Sequence, residues 1–180
     1  MNKKPIVVNL FAGPGAGKST TAAGVFYELK LLGMNVELVL EYAKDITWEG
    51  NYKTLENQIY VFANQQHRQE RCSDQVDIIV TDSPLILSSI YANKKTPTVF
   101  HDLVKYSFRE YDNMNYFLNR VKPYTNVGRR ESEEQAKRID DTILSYLEEI
   151  EERYTIVDGD RSALLTIVND VVLKTKVINC

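Results

Sequence analysis

The run Ala12-Gly13-Pro14-Gly15-Ala16-Gly17-Lys18-Ser19-Thr20 places three glycines, a lysine and two hydroxyls within nine residues. It follows the pattern G-x-x-x-x-G-K-[ST], with Ala12 where the first glycine usually stands. Chemistry at such a run is anion binding. Gly13, Gly15 and Gly17 supply a permissive backbone, so that N–H groups of residues Gly13, Gly15, Ala16, Gly17, Lys18, Ser19 and Thr20 can wrap a polyphosphate at a helix N-terminus. Lys18 then reaches the β and γ phosphates and Ser19 offers its hydroxyl to Mg²⁺, so the expected cofactors are ATP and Mg²⁺. The plainer alternative is a glycine-rich turn with a chance lysine. An apolar run before it and an amphipathic helix after it weigh against that.

Two carboxylates end apolar runs further on. Asp82 follows Asp77-Ile78-Ile79-Val80-Thr81, at the strand edge where an open α/β sheet presents side chains to its ligand crevice. There it can hold Mg²⁺ with Ser19; the alternative is a cap for the helix that Ser83-Pro84 opens. The next residue is Ser83, not the glutamate that polarises water in motor ATPases, which argues against steady hydrolysis. Asn93-Lys94-Lys95-Thr96 ends in threonine, so the guanine-reading Asn-Lys-x-Asp is missing. Glu41 ends the second strand and begins Glu41-Tyr42-Ala43-Lys44-Asp45. Its carboxylate is suited to accept the proton of an attacking hydroxyl, and Tyr42 to stack on a flat substrate. A pair of solvated loop charges is the other reading of Glu41 and Lys44.

Gln58, Gln65 and Arg68 fall at spacings of seven and three on one helix, with Asn64 and Arg71 nearby, so Gln65 and Arg68 are substrate-binding candidates or simply a solvated face. His67 has no acidic or nucleophilic partner in motif spacing and is expected at the surface. From Arg120 to Arg130 the chain carries Arg120, Lys122, Arg129 and Arg130 without an acid, so the segment about 120–135 is expected to act as a lid whose Arg129 and Arg130 close over the γ phosphate. The alternative is a basic loop pairing with the acidic helix behind it. Asp158-Gly159-Asp160-Arg161 is explained by a helix cap at Asp160.

These side chains need a scaffold of alternating strands and helices. Apolar runs predict strands at 6–11, 36–40, 77–82 and 154–157, with a short one at 116–118. Helical periodicity predicts helices at about 18–32, 53–74, 98–111, 131–152 and 161–173, the second with Leu55, Ile59 and Phe62 on its apolar stripe. A helical stretch after Ser83-Pro84 completes the set. Strands alternating with helices give a three-layer α/β fold with a mostly parallel five-stranded sheet.

The chain has 180 residues, 43% hydrophobic and 26% charged, which predicts one globular domain over residues 1–180 and neither disorder nor a membrane protein. Twenty-two basic against 25 acidic residues give a net charge of −3, which removes a strongly cationic nucleic-acid surface. Cys72 and Cys180 are too few for a disulfide framework or a zinc site, in line with a reducing, cytoplasmic setting.

With AGPGAGKST, EYAKD, VTDSPL and GRRES in this order, the chain resembles P-loop kinases of nucleosides and nucleotides over nearly its whole length. It is similar to the family that includes the ribosylnicotinamide kinase domain and small phage ATP-binding proteins. The resemblance implies a P-loop NTPase fold with strand order 2-3-1-4-5, an acid after the second strand near the acceptor hydroxyl (Glu41), and a lid after the fourth (Arg129 with Arg130). It implies transfer of the γ-phosphoryl group of ATP to a small nucleoside- or nucleotide-like acceptor, in the host cytoplasm if the chain is viral; separately, Phe100, Tyr106, Phe108 and Tyr111 on helix 98–111 are read as core, with a homodimer contact as the alternative. Ser83 departs from the Asp-Arg pair of thymidylate kinases. Two further readings remain: a kinase for a modified base in phage DNA, and a nucleotide-binding switch with no acceptor.

Overall fold

The computed structural model describes residues 4–125 and 131–178. In chain order these form β1 (Ile6–Phe11), α1 (Lys18–Leu31), β2 (Val36–Val39), α2 (Tyr42–Trp48), α3 (Tyr52–Leu55), α4 (Gln58–Ser73), β3 (Ile78–Thr81), α5 (Leu87–Tyr91), α6 (Thr98–Arg109), β4 (Asp112–Asn119), α7 (Glu133–Glu149), β5 (Thr155–Asp158) and α8 (Arg161–Ile178). The strands make one sheet in the order β2-β3-β1-β4-β5, and every neighbouring pair is parallel. All six residues of β1 are buried, as a central strand covered on both faces requires.

The period of two along β1 divides the core. Ile6, Val8 and Leu10 pack with Ala22, Val25 and Leu29 of α1 and Ala163, Ile167 and Val171 of α8. Phe11 points the other way, into Phe100, Val104 and Phe108 of α6 and Ile143 and Leu147 of α7. Its ring meets Phe108 edge-on at 6.5 Å. This three-layer arrangement is the one expected from the alternation of elements.

Three details depart from the sequence reading. The fourth strand runs from Asp112 to Asn119 rather than 116–118. Its polar residues are satisfied inside the sheet: Asn9 Nδ2 donates to Asn113 Oδ1 at 2.8 Å and to Asn115 Oδ1 at 3.0 Å, and Asn113 Nδ2 donates to Phe108 O at 2.7 Å. The helix expected over 53–74 is broken before Gln58, where Asn57 leaves helical geometry and accepts from Tyr60 N through its side chain. Ile59 is consequently turned outward, and the buried face of α4 is Val61, Phe62, Gln65, Gln69 and Ser73. Finally, residues Tyr42–Trp48 form a helix that the sequence periodicity does not predict.

Candidate functional site

The sheet brings the ends of β1, β2 and β3 to one edge, and the candidate residues with them. β1 ends at Phe11 and the chain bends through the glycine run into α1, where Gly15 (φ 83°) and Gly17 (φ 102°) take the left-handed backbone that a side chain resists. Lys18 Nζ folds back over the bend, donating to Ala12 O at 2.6 Å and Gly13 O at 3.2 Å. Desolvation lowers the Lys18 pKa, against the pull of Glu41, Asp82 and Asp140 to raise it. The three carboxylates therefore act on the ammonium at a distance, while its hydrogen bonds go to the loop carbonyls. Ser19 and Thr20 open α1 immediately after it.

Asp82, at the end of β3, is 1% exposed. Its Oδ1 accepts from Glu41 N at 2.9 Å, which couples the edge of β3 to the edge of β2. Asp82 caps no helix, and its second oxygen and the Ser19 hydroxyl are the hard oxygen donors that would hold a metal here. Such a pair fits a small divalent cation that takes its other ligands from phosphate and water.

Glu41 caps α2 with its backbone in an extended conformation and makes no side-chain capping bond. Its carboxylate has no hydrogen-bond or ion-pair partner among the described residues. Burial pushes its pKa up, with Asp82 adding to the rise and Lys18 opposing it. Two bonds from Gln65 hold the junction: Oε1 accepts from Tyr42 N at 2.8 Å and Nε2 donates to Leu40 O at 3.4 Å. Gln65 is 3% exposed, so its amide orients Glu41 through the backbone. Arg68, one turn on, pairs with the Asp45 carboxylate, donates to Leu40 O at 3.4 Å and lies over the Tyr42 ring at 4.8 Å. The Tyr42 hydroxyl donates to Tyr60 Oη at 3.0 Å, and that bond is the main cause of a Tyr42 pKa pushed up to about 12. One tyrosine face is therefore covered by a guanidinium. Asn64 Nδ2 is bonded to Tyr60 O, and His67 is exposed as expected.

Two residues that sequence reasoning passed over belong here. Tyr91, at the end of α5, is 41% exposed as a residue, with its hydroxyl end desolvated and in the field of Glu41, Glu131 and Asp140, which pushes its pKa up. Asp140 of α7 binds Gly13 N through Oδ1. It also accepts from Arg120 Nη2 through Oδ2 at 2.9 Å. Neither carries a motif; one lies nine residues past Asp82 and the other 127 residues past Gly13 in the chain. Within the basic segment, the Arg120 charge is taken by α7, as the loop-and-helix alternative anticipated. Arg129 and Arg130, the expected lid arginines, lie outside the described residues. At the far side of the loop Gly159 N donates to Asn119 O at 2.9 Å, and Asp160 Oδ1 accepts from Ser162 N at 2.7 Å, the cap expected there.

Residues 7–163 match a family model described as an AAA domain. No curated protein matches the chain. Among solved structures 154 chains match. One is the crystal structure of NadR protein in complex with NR, with a TM-score of 0.65, 16% identity, and coverage of 91% of this chain and 50% of that one. Another is the crystal structure of NadR protein in complex with NAD and AMP-PNP, also at 0.65 and 16%, covering 93% of this chain and 48% of that one. The chain spans about half the length of those structures, and at such identity the likeness is one of fold. That fold is the P-loop NTPase fold, with the strand order expected from the resemblance. No helix among the described residues is long and apolar enough to cross a membrane.

Proposed function

The chain belongs to the AAA domain family, and from that membership and the geometry of its cleft we propose that it is a phosphotransferase moving the γ-phosphoryl group of ATP to the hydroxyl of a small nucleoside-like acceptor. The observation that carries this reading is the Glu41 carboxylate, which has no hydrogen-bond or ion-pair partner among the described residues and lies in the electrostatic field of Lys18 and Asp82, at a junction where Glu41 N donates to Asp82 and Tyr42 N donates to Gln65. Ser83 stands where motor ATPases carry their water-polarising glutamate, whereas an acid after the second strand is placed for an arriving acceptor hydroxyl. The fold neighbours were solved with NR and with NAD and AMP-PNP, ligands of compatible chemistry.

In this mechanism the loop amides of Gly15 to Ser19 hold the phosphates, and Lys18 exchanges its bonds to Ala12 O and Gly13 O for phosphate oxygens. Mg²⁺, bound by Ser19 and Asp82, would neutralise charge on the β and γ phosphates. The acceptor hydroxyl passes its proton to Glu41, its oxygen bonds to the γ phosphorus, and the bond to the β–γ bridging oxygen breaks to release ADP. Positioning by Asp82 and Gln65 keeps the carboxylate in line for that transfer.

Charge favours an unphosphorylated acceptor. Among the described residues near the β2 edge, Arg68 is already paired with Asp45, and Glu41 is in the field of Asp82 and Glu131 against Lys18 and Lys44. A mononucleotide would bring its own dianion to that wall. Incubation with γ-labelled ATP, Mg²⁺, and a panel of nucleosides, mononucleotides and modified-base DNA tests the proposal. Label is expected on an uncharged nucleoside. Label on DNA with a steep loss in salt would assign the polymer instead, and release of labelled phosphate alone would leave a switch or NTPase.

A further inference from the structure

The glycine loop is held from behind by residues outside the reaction just described. Asp140 binds Gly13 N through one oxygen and Arg120 Nη2 through the other, and Arg120 Nη1 donates to Pro14 O at 2.7 Å. The Arg120 and Asp140 side chains are 8% and 15% exposed, so solvent competes weakly for either. Proline has no N–H, which leaves its carbonyl as the one polar backbone group of residue 14. Lys18 takes the carbonyls of Ala12 and Gly13, so three successive carbonyls each face a cation and the Gly13 N–H faces an anion.

The approach is close enough to need glycine at two positions. A Cβ on Gly13 would lie 2.5 Å from Ala136 O of α7, and one on Gly15 would lie 2.8 Å from the Tyr124 ring. That ring lies 5.7 Å from the Arg120 guanidinium, and its hydroxyl donates to Glu131 O at 2.6 Å. Arg120 keeps this place although its Nε is buried without a hydrogen-bond partner among the described residues, a cost that its two charge-assisted contacts must offset.

Resting on the reading of this loop as a polyphosphate cradle, we infer that Arg120 and Asp140 are positioning residues, a buried strut that fixes the first half of the loop and thereby sets nucleotide affinity without touching nucleotide. Carbonyls drawn toward cations on one side leave the amides of the following residues to face the anion. A loop without the strut has to order itself on binding, and that ordering subtracts from affinity.

Arg120→Met, Asp140→Leu and the double variant, titrated calorimetrically with ADP and with ATP, test the inference. Each single variant is expected to weaken both nucleotides equally, by about tenfold, and the double variant to be no weaker than the worse single, because one strut is lost once. Additive losses, wild-type affinity in a folded single variant, or a loss confined to ATP at Arg120 would overturn it; the last would put the guanidinium on the γ phosphate. Asp140→Asn keeps an oxygen for Gly13 and serves if the leucine variant does not fold: weaker binding is expected, and unchanged binding overturns. Hydrogen exchange of the nucleotide-free chain separates this inference from the function proposed above. Faster exchange across residues 12–19 in the Asp140 variants is expected, and unchanged protection sinks the strut. Wild-type protein that binds no nucleotide sinks the cradle and the affinity claim together, whatever the exchange shows.

Discussion

Glu41 answers to two opposing demands. Folding buries its carboxyl and raises its pKa, chiefly by desolvation, while the proposed reaction needs it ionised. Because the raised value lies above the ordinary carboxylate range, the acid limb of kcat/KM is expected at a pH above that range. Glu41→Gln should remove the limb and lower kcat by roughly 10²–10⁴-fold; a limb that persists in the variant would assign the base elsewhere. The same shift has a stability consequence. A group with a higher pKa in the folded than in the unfolded state binds the extra proton only when folded, so its contribution is present at low pH and lost as pH rises through the folded value. Glu41→Gln is therefore expected to raise Tm at neutral pH, by roughly 2–4 °C for each 1 kcal/mol recovered, and the gain should vanish in acid. Thermal melts at the two pH values measure it.

The residues legible in the sequence were those whose chemistry is local: the glycine run with Lys18 and Ser19, and the acids Glu41 and Asp82 at strand ends. Asp140 and Tyr91 were not, since each reaches the cleft only through the packing of α7 and α5, and an aspartate amid helical charges looks like any solvated face. Gln65 was singled out as a substrate contact, and its two bonds to the β2–α2 backbone supply a definite task for a buried amide.

Among the elements, α4 decides how precisely Glu41 is aimed. Gln65→Met keeps the volume but leaves Tyr42 N and Leu40 O without the amide, a loss of about 1–3 kcal/mol of stability. Acceptor KM is expected to rise and kcat to fall while nucleotide affinity stays at the wild-type value, which steady-state kinetics and a binding titration read separately. At the other side of the cleft α7 starts with a full capping box: Ser132 Oγ accepts from Gln135 N at 3.2 Å and Gln135 Oε1 accepts from Ser132 N at 2.7 Å. Ser132→Ala should cost about 1 kcal/mol, seen in a denaturant midpoint that moves with the slope unchanged. Element types were largely legible because strands with two buried faces and helices with apolar stripes announce themselves. Two exceptions have physical causes. Strand β4 was read short because Asn113 and Asn115 look like loop residues until Asn9 supplies their partners, and the break before α4 hides in one Asx bond at Asn57.

For the whole molecule, a parallel sheet with β1 at its centre places the glycine loop, Glu41 and Asp82 at one edge because right-handed crossovers return every strand in the same direction. A net charge of −3 supplies no general attraction for a polyanion. Phosphotransfer to a nucleoside is accordingly expected to vary little between low and moderate salt, measured as kcat/KM for the acceptor at saturating ATP; a steep logarithmic decline would point to a polymeric substrate.

The account depends above all on the bend from Gly13 to Ser19 being a seat for a triphosphate. Calorimetric titration of the wild-type chain and of Lys18→Ala with ATP and Mg²⁺ addresses that directly. A saturable heat in the wild type that is lost or weakened at least tenfold in the variant is the expected result, and no heat in the wild type, or the same affinity in both, would contradict it.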